Sequence, residues 1–294
     1  MELPQAENIA YVFTENKNND FGGYCAVIND AGWREDYDYY VFVNSSVRGP
    51  FLLSSDRHER WVDRFTAPLS EDVGLVGSTI NILSPRSSIS KLYSSLFGDA
   101  PSYSHVQTTV YGMTPAVLRH LVSIGFYAEN ECLPKDNVIC RYELKLSQEI
   151  LRAGRNLKCQ LPEYNTVDYR AKHTDINPTS WYGDPALKNA YFGRTIHPYE
   201  AIFIKTNRGL FKETYLDRLA ASMRIGPNLE GAALQSRELM RYRARLCGVA
   251  AVRQASGSEH LTLKPEQVID LARQLAKAHP QYGQALAEVL ATSP

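Results

Sequence analysis

The stretch spanning residues 15–50, ENKNNDFGGYCAVINDAGWREDYDYYVFVNSSVRGP, reads as a polar loop, a short helix, a turn, a buried strand and a second polar loop. Residues 39–43 (YYVFV) are β-branched and aromatic with no charge, the composition of a central strand buried on both faces. The run stops at Asn44-Ser45-Ser46-Val47-Arg48-Gly49-Pro50. In open α/β sheets, ligands bind just beyond the carboxyl ends of such strands. Upstream, in Asn18-Asn19-Asp20-Phe21-Gly22-Gly23-Tyr24, the missing Cβ of Gly22 and Gly23 lets backbone come close to another group. Two polar loops around one helix and one strand predict a binding cleft at the carboxyl edge of a sheet.

The composition narrows the classes. Of 294 residues, 44% are hydrophobic and 22% charged, as in an ordinary globular protein. Lys+Arg and Asp+Glu are both 32, which lacks the basic excess of a dedicated nucleic-acid binder. Five cysteines (Cys25, Cys132, Cys140, Cys159, Cys247) with no C-x-x-C pair argue against zinc and against a disulfide framework. They fit a reducing compartment, so a cytoplasmic location is expected. No signal-peptide pattern opens the sequence, and no apolar run approaches the ~18 residues of a membrane span.

Taken in order, residues 8–14 (NIAYVFT) predict a first strand and residues 22–29 a short helix ended by Asp30-Ala31-Gly32. After the strand at 39–43, residues 57–65 predict a short helix with Trp61 and Phe65 on one face. Strands are expected at 73–82 and 105–112, then a helix at 115–124 with Thr114 as N-cap and Pro115 in its first position. Residues 142–154 predict an amphipathic helix closed by Gly154, and residues 157–161 a short strand. Residues 163–196 are irregular and rich in aromatics, the composition of a packed lid. Residues 197–205 (HPYEAIFIK) read as a strand, and from Lys212 the chain is helical, with breaks at Pro227-Asn228 and Ser256-Gly257-Ser258. A helix start stands at residues 262–266.

The succession N-N-D-F-G-G-Y, strand, N-S-S-V-R-G-P-F, strand G-S-T-I, H-V-Q, Y-E-x-x-L-S and H-P-Y-E, spread over residues 8–205, resembles a group of glycosyltransferase-like proteins. That group is in turn similar to rhamnan-synthesis F-type and other GT-A-fold transferases. The resemblance implies a GT-A-like α/β domain over residues 1–208, a mostly parallel Rossmann-like sheet with flanking helices, with its first βαβ unit reduced or missing. A helical extension over residues 209–294 follows. It implies transfer of a sugar from a nucleotide-sugar donor to a glycan, lipid-linked or other hydroxyl acceptor, with inversion. Glu143 stands where the family has its general base. Asn44-Ser45-Ser46 occupies the place of the Asp-x-Asp metal motif, and His197 that of a late metal ligand. Asn18, Asn19, Asp20, Gly22, Asn44 and Ser46 would hold the donor, and His105 and Gln107 the acceptor.

Asn44-Ser45-Ser46 supplies no carboxylate, whereas Mg²⁺ or Mn²⁺ on a diphosphate normally requires one. Either Arg48, with a planar fork suited to phosphate oxygens, stabilises the leaving group without metal, or Asp20 and His197 bind one. Each residue also has a plainer reading. Asp20 caps the helix it opens, Glu143 suits a helix start through the macrodipole, Arg48 makes an ion pair, and His105, Gln107 and His197 are structural. The stripe Arg237, Arg241, Arg245 reads as a solvated helix face or a peripheral contact with an anionic membrane. The rival to the transferase is a non-catalytic glycan- or nucleotide-binding relative that has lost its acidic motif.

Overall fold

The computed structural model describes residues 5–29, 37–53, 60–128 and 131–224. The chain divides into two compact units, Met1–Leu210 and Phe211–Pro294. In the first, helix α1 (Asp20–Asn29) leads to strand β1 (Tyr40–Val43) and the two-residue β2 (Val47–Arg48). After the single turn α2 (Asp63–Thr66) come β3 (Val73–Gly77), β4 (Ile80–Leu83) and α3 (Ser88–Phe97). Strands β5 (Tyr103–Val106) and β6 (Val110–Met113) precede α4 (Pro115–Ser123). Helix α5 (Lys135–Val138), a π-helical turn (Ile139–Leu144) and α6 (Lys145–Arg152) run on without a break into the approach to β7 (Asn156–Cys159). The unit closes with α7 (Pro198–Ala201) and β8 (Ile204–Lys205). The described part of the second unit is the helix α8 (Glu213–Arg224).

The main sheet has the order β1-β6-β3-β7. β6 is antiparallel to β1 and β3, and β7 is parallel to β3. β1, β3 and β7 therefore point the same way, and their carboxyl ends share one edge with the start of β6. This is a mixed α/β fold with a partly parallel sheet, where the sequence suggested a mostly parallel one. The run expected as its centre lies instead at its edge: within this sheet β1 pairs with β6, and its residues are half-buried or exposed. Its aromatic character is explained by what covers it, since Phe42 stacks on Tyr111 (4.9 Å, 9°) and meets Tyr24 edge-on from α1. The buried centre is β6 and β3, where every residue is buried.

Two predicted strands are each broken in two, at one place. Ser78 N donates to Val110 O (3.1 Å) and Gln107 N to Thr79 O (3.0 Å), which leaves Thr108 and Thr109 as extra residues opposite the Ser78-Thr79 step. Beyond this bulge the ladder resumes as β4–β5. Residues 8–14 form no strand, and Phe13 is 84% exposed. Residues 197–205 form the turn α7 and the short β8 rather than one strand, because Pro198 starts a helical turn that His197 caps.

Where local chemistry is strong, the helices agree with expectation. Thr114 Oγ1 accepts from Val117 N (3.4 Å) to cap α4, and Gly154, at φ 81°, lies just past α6. The helix of Glu143, however, starts at Lys135 rather than Tyr142, so Glu143 lies inside it. α3 was not anticipated. Its serines hide an apolar face of Ile89, Leu92, Tyr93 and Phe97, with Ser87 Oγ accepting from Ser90 N (3.0 Å) as the cap. Residues 163–196 are irregular as expected, packed by the fully buried Tyr164, Tyr169 and Tyr191. Gly183 docks this segment on β4: its carbonyl accepts from Ile82 N (2.9 Å), and a Cβ there would lie 2.1 Å from Ile82 O. Trp61 and Phe65 meet edge-on at 6.2 Å as predicted. The turn at 30–32, the start of the helix at 57–65, the arginine stripe, both breaks in the tail and the helix start at 262–266 lie outside the described residues. Among the described residues, no helix is long and apolar enough to cross a membrane.

Candidate functional site

The bulge builds a polar cluster beside the carboxyl edge of the sheet. Thr108, one of its extra residues, donates from Oγ1 to Glu143 Oε2 at 2.9 Å. His105, on β5, brings Nε2 to 3.5 Å from Glu143 Oε1, with the Asn81 amide of β4 at 3.5 Å from the same nitrogen. His105 Nδ1 faces the Tyr103 carbonyl at 3.4 Å. His105 is buried, whereas the Glu143 side chain keeps 22% of its surface exposed. Burial raises the Glu143 carboxyl, but His105, Lys205 and the Thr108 hydroxyl outweigh it and hold the group below its ordinary value. Glu143 and His105, assigned to separate roles from sequence, are thus brought together.

Lys205 was not singled out from the sequence. β2 and β8 form a two-stranded ribbon with Val47 opposite Lys205 and Arg48 opposite Ile204. Neighbouring residues on a strand leave opposite faces, so Lys205 and Arg48 project from opposite sides of the ribbon. Lys205 is a cation whose field acts on Glu143. The ribbon is tied to the loop after β1 by Thr206, whose N and Oγ1 both donate to Ser46 O at 3.0 Å.

The two loops expected to flank one cleft do meet. Asp20, opening α1, accepts from Ser45 N at 2.8 Å on Oδ1 and from Asn44 Nδ2 on Oδ2. Asn44 Oδ1 in turn accepts from Ser46 N (2.8 Å) and Ser46 Oγ (2.5 Å), and Asn44 N donates to Thr109 O (3.0 Å). Asp20, Asn44 and Ser46 therefore form a closed knot joining α1, β1 and the bulge. Asn18 lies outside it: Nδ2 donates to Glu131 O (2.7 Å) and Leu133 N donates to Oδ1 (2.9 Å), so it fastens a distant loop. Asn19 is exposed, with φ 53°. Gly22 does allow a close approach, but to the chain's own Lys17 O, 2.1 Å from where a Cβ would stand.

His197 Nδ1 accepts from Tyr199 N (3.2 Å), and its backbone N donates to Glu200 Oε2 (2.8 Å), closing a capping box on α7. Each Asp20 oxygen thus holds one donor, and His197 Nδ1 is taken up by its cap. Among the described residues no group of three His, Cys, Asp or Glu side chains could hold a metal.

Gln107, between Val106 and Thr108, lines a narrow recess with Ser78, Thr79, Thr109 and Lys205. Thr79 Oγ1 donates to Gln107 Oε1 at 2.7 Å, which fixes the amide. Arg208, also on this wall, donates to Asp184 Oδ2 (2.7 Å) and Ala186 O (2.9 Å). The sequence signal for these missed residues was the polar G-S-T and Q-T-T steps interrupting apolar runs. Compared with known proteins, the chain matches no protein-family model, no curated protein and no solved structure.

Proposed function

We propose that the first unit is a GT-A-like glycosyltransferase that moves a sugar from a nucleotide-sugar donor to a hydroxyl acceptor. The observation that carries this reading is Glu143: a partly exposed side chain whose carboxylate is held ionised by His105, Lys205 and Thr108, at the edge where β1, β3 and β7 end. An ionised carboxylate within reach of an alcohol is what a general base for an inverting transfer requires. In the proposed reaction the acceptor oxygen attacks the anomeric carbon and its proton passes to Glu143. The bond from that carbon to the diphosphate breaks, and the electron pair leaves with the phosphate oxygen. His105 and Thr108 orient the base. Arg48, on the far face of the ribbon, is the proposed cation for the leaving group, and the knotted loop after β1 holds the backbone that frames it. No step passes through a metal.

Glu143→Gln keeps the shape and the Thr108 contact but removes the basicity. Transfer from a panel of UDP, GDP, dTDP and CMP sugars should fall by about 10²–10⁴, the usual worth of a general base. Donor affinity by calorimetry should stay within about twofold. Unchanged transfer in the variant would remove Glu143 from the mechanism. Donor binding without transfer in the parent protein would point to the binding-protein alternative.

A further inference from the structure

Charge is segregated along this neutral chain. Residues 1–46 carry eight of its 32 acidic side chains and only two of its 32 basic ones, Lys17 and Arg34. Part of that stretch lines an open cleft of about 1060 Å³. Ile9 and Val12 contribute from the irregular segment before α1, Tyr24 and Val27 from α1, and Tyr37 and Phe42 from before and within β1. Val12, Val27 and Tyr37 are 42%, 44% and 52% exposed, so this apolar surface can be reached. Among the described residues the charged side chains lining the cleft are Glu7, Glu15 and Asp20, with no Lys or Arg. Neither Glu143 nor Arg48 is among them, so the transfer reading leaves the cleft without a role.

The lining selects its occupant. A nucleoside diphosphate would bring negative charge against three carboxylates and be repelled. An acyl chain would use the apolar surface and leave the carboxylates without a counter-charge, and a bare polycation would do the opposite. The cleft also exceeds the roughly 300–1,000 Å³ usual for small ligands. Residues 8–14 (NIAYVFT) add an independent observation: they have the composition of a strand, yet residues 5–16 are exposed and form no strand. A chain laid beside them would complete a ladder, as when an extended peptide adds to a sheet edge. We propose that this cleft is a docking groove for a basic, apolar peptide segment of a partner protein, bound in extended form and paired with residues 8–14. Alternate side chains of an extended peptide leave opposite faces. One set covers Val12, Val27 and Tyr37, and the Lys or Arg side chains of the other meet Glu7, Glu15 and Asp20. The proposal goes beyond the transfer reading and stands or falls without it.

The test is fluorescence anisotropy on the full chain with a labelled decapeptide that alternates lysine with valine and phenylalanine. Two controls replace its lysines by glutamate, or its apolar residues by serine. The lysine peptide should bind at least about tenfold more tightly than either control, and its lead over the glutamate peptide should narrow as salt rises. Joint Glu7→Gln and Glu15→Gln substitution should weaken it by about three- to tenfold. Val27→Lys, at an exposed position on α1, sets a cation in the groove and should weaken it about tenfold, which keeps the test if the glutamine variant fails to fold. Hydrogen exchange at residues 8–14 should slow when the peptide binds. Equal affinity for the lysine and glutamate peptides overturns the proposal. So does a serine peptide that binds as tightly as the parent, which is ionic attraction alone, or unchanged exchange at residues 8–14. Displacement of the peptide by UDP-glucose also overturns it, because the cleft would then be the donor site; failure of transfer from every donor leaves the peptide result standing.

Discussion

At Glu143 two influences oppose each other, burial favouring the neutral acid and the His105, Lys205 and Thr108 neighbours favouring the anion. The neighbours win, so the folded value lies below the ordinary 4.5. The sign follows from linkage: the stability these contacts contribute is complete above the ordinary value and is lost as pH falls through the folded one. A base in this state works through the neutral range and fails only in acid. His105→Gln keeps a hydrogen-bonding side chain without the charge, and should move the Glu143 titration up. Carbon-13 NMR of the labelled carboxyl, or the acid limb of transfer, reads this; an unmoved titration would mean that His105 does not hold the carboxylate. The sequence made Glu143, His105 and Gln107 visible as polar residues punctuating apolar runs. Their meeting was not visible, since Thr108 and Glu143 are 35 residues apart and a hydroxyl leaves no local signature. Asn18 illustrates the converse, because an Asn in a polar loop looks the same whether it awaits a ligand or fastens residues more than a hundred positions away.

Among the elements, those with local instructions were legible and those with tertiary ones were not. Thr114-Pro115 and Gly154 announce helix ends through backbone chemistry alone. The π-helical turn Ile139–Leu144 breaks the 3.6-residue period, so the pattern could be followed only from Tyr142 onward and Glu143 was read as a helix start. The bulge was likewise invisible, because Val-Gly-Leu-Val-Gly-Ser-Thr-Ile reads as one strand until its partner is known. The irregular segment 163–196 owes its position to Gly183, at φ 85° and closer to Ile82 O than any side chain permits. Gly183→Ala should therefore cost about 1–3 kcal/mol, seen as a lower Tm and faster proteolysis around Trp181 and Tyr182. A Tm equal to that of the parent would mean that the segment can shift off β4 without loss.

Strands that point the same way bring the loops after β1 and β3 to one edge, and the knot and the bulge both lie there. Which strand takes the centre was not legible, because an uncharged aromatic run suits an edge covered by aromatic rings as well as a buried middle. The boundary at Leu210 implies that the first unit folds by itself. A chain ending at Leu210 should melt cooperatively within about 4 °C of the full chain, a difference of no more than about 1 kcal/mol. A broad or absent transition would show that residues 211–294 belong to the same cooperative unit. The clasp between Ser46 and Thr206 joins positions 160 apart in sequence, so the loop that must close before it can form is nearly as long as the unit. It belongs among the late events of folding, after the β3–β7 and β4–β5 pairings. Thr206→Ala should accordingly quicken unfolding in stopped-flow traces and leave the refolding rate nearly unchanged. The assembly around Glu143 would then come apart before the sheet does, and loss of ligand binding would precede the loss of helical signal on heating.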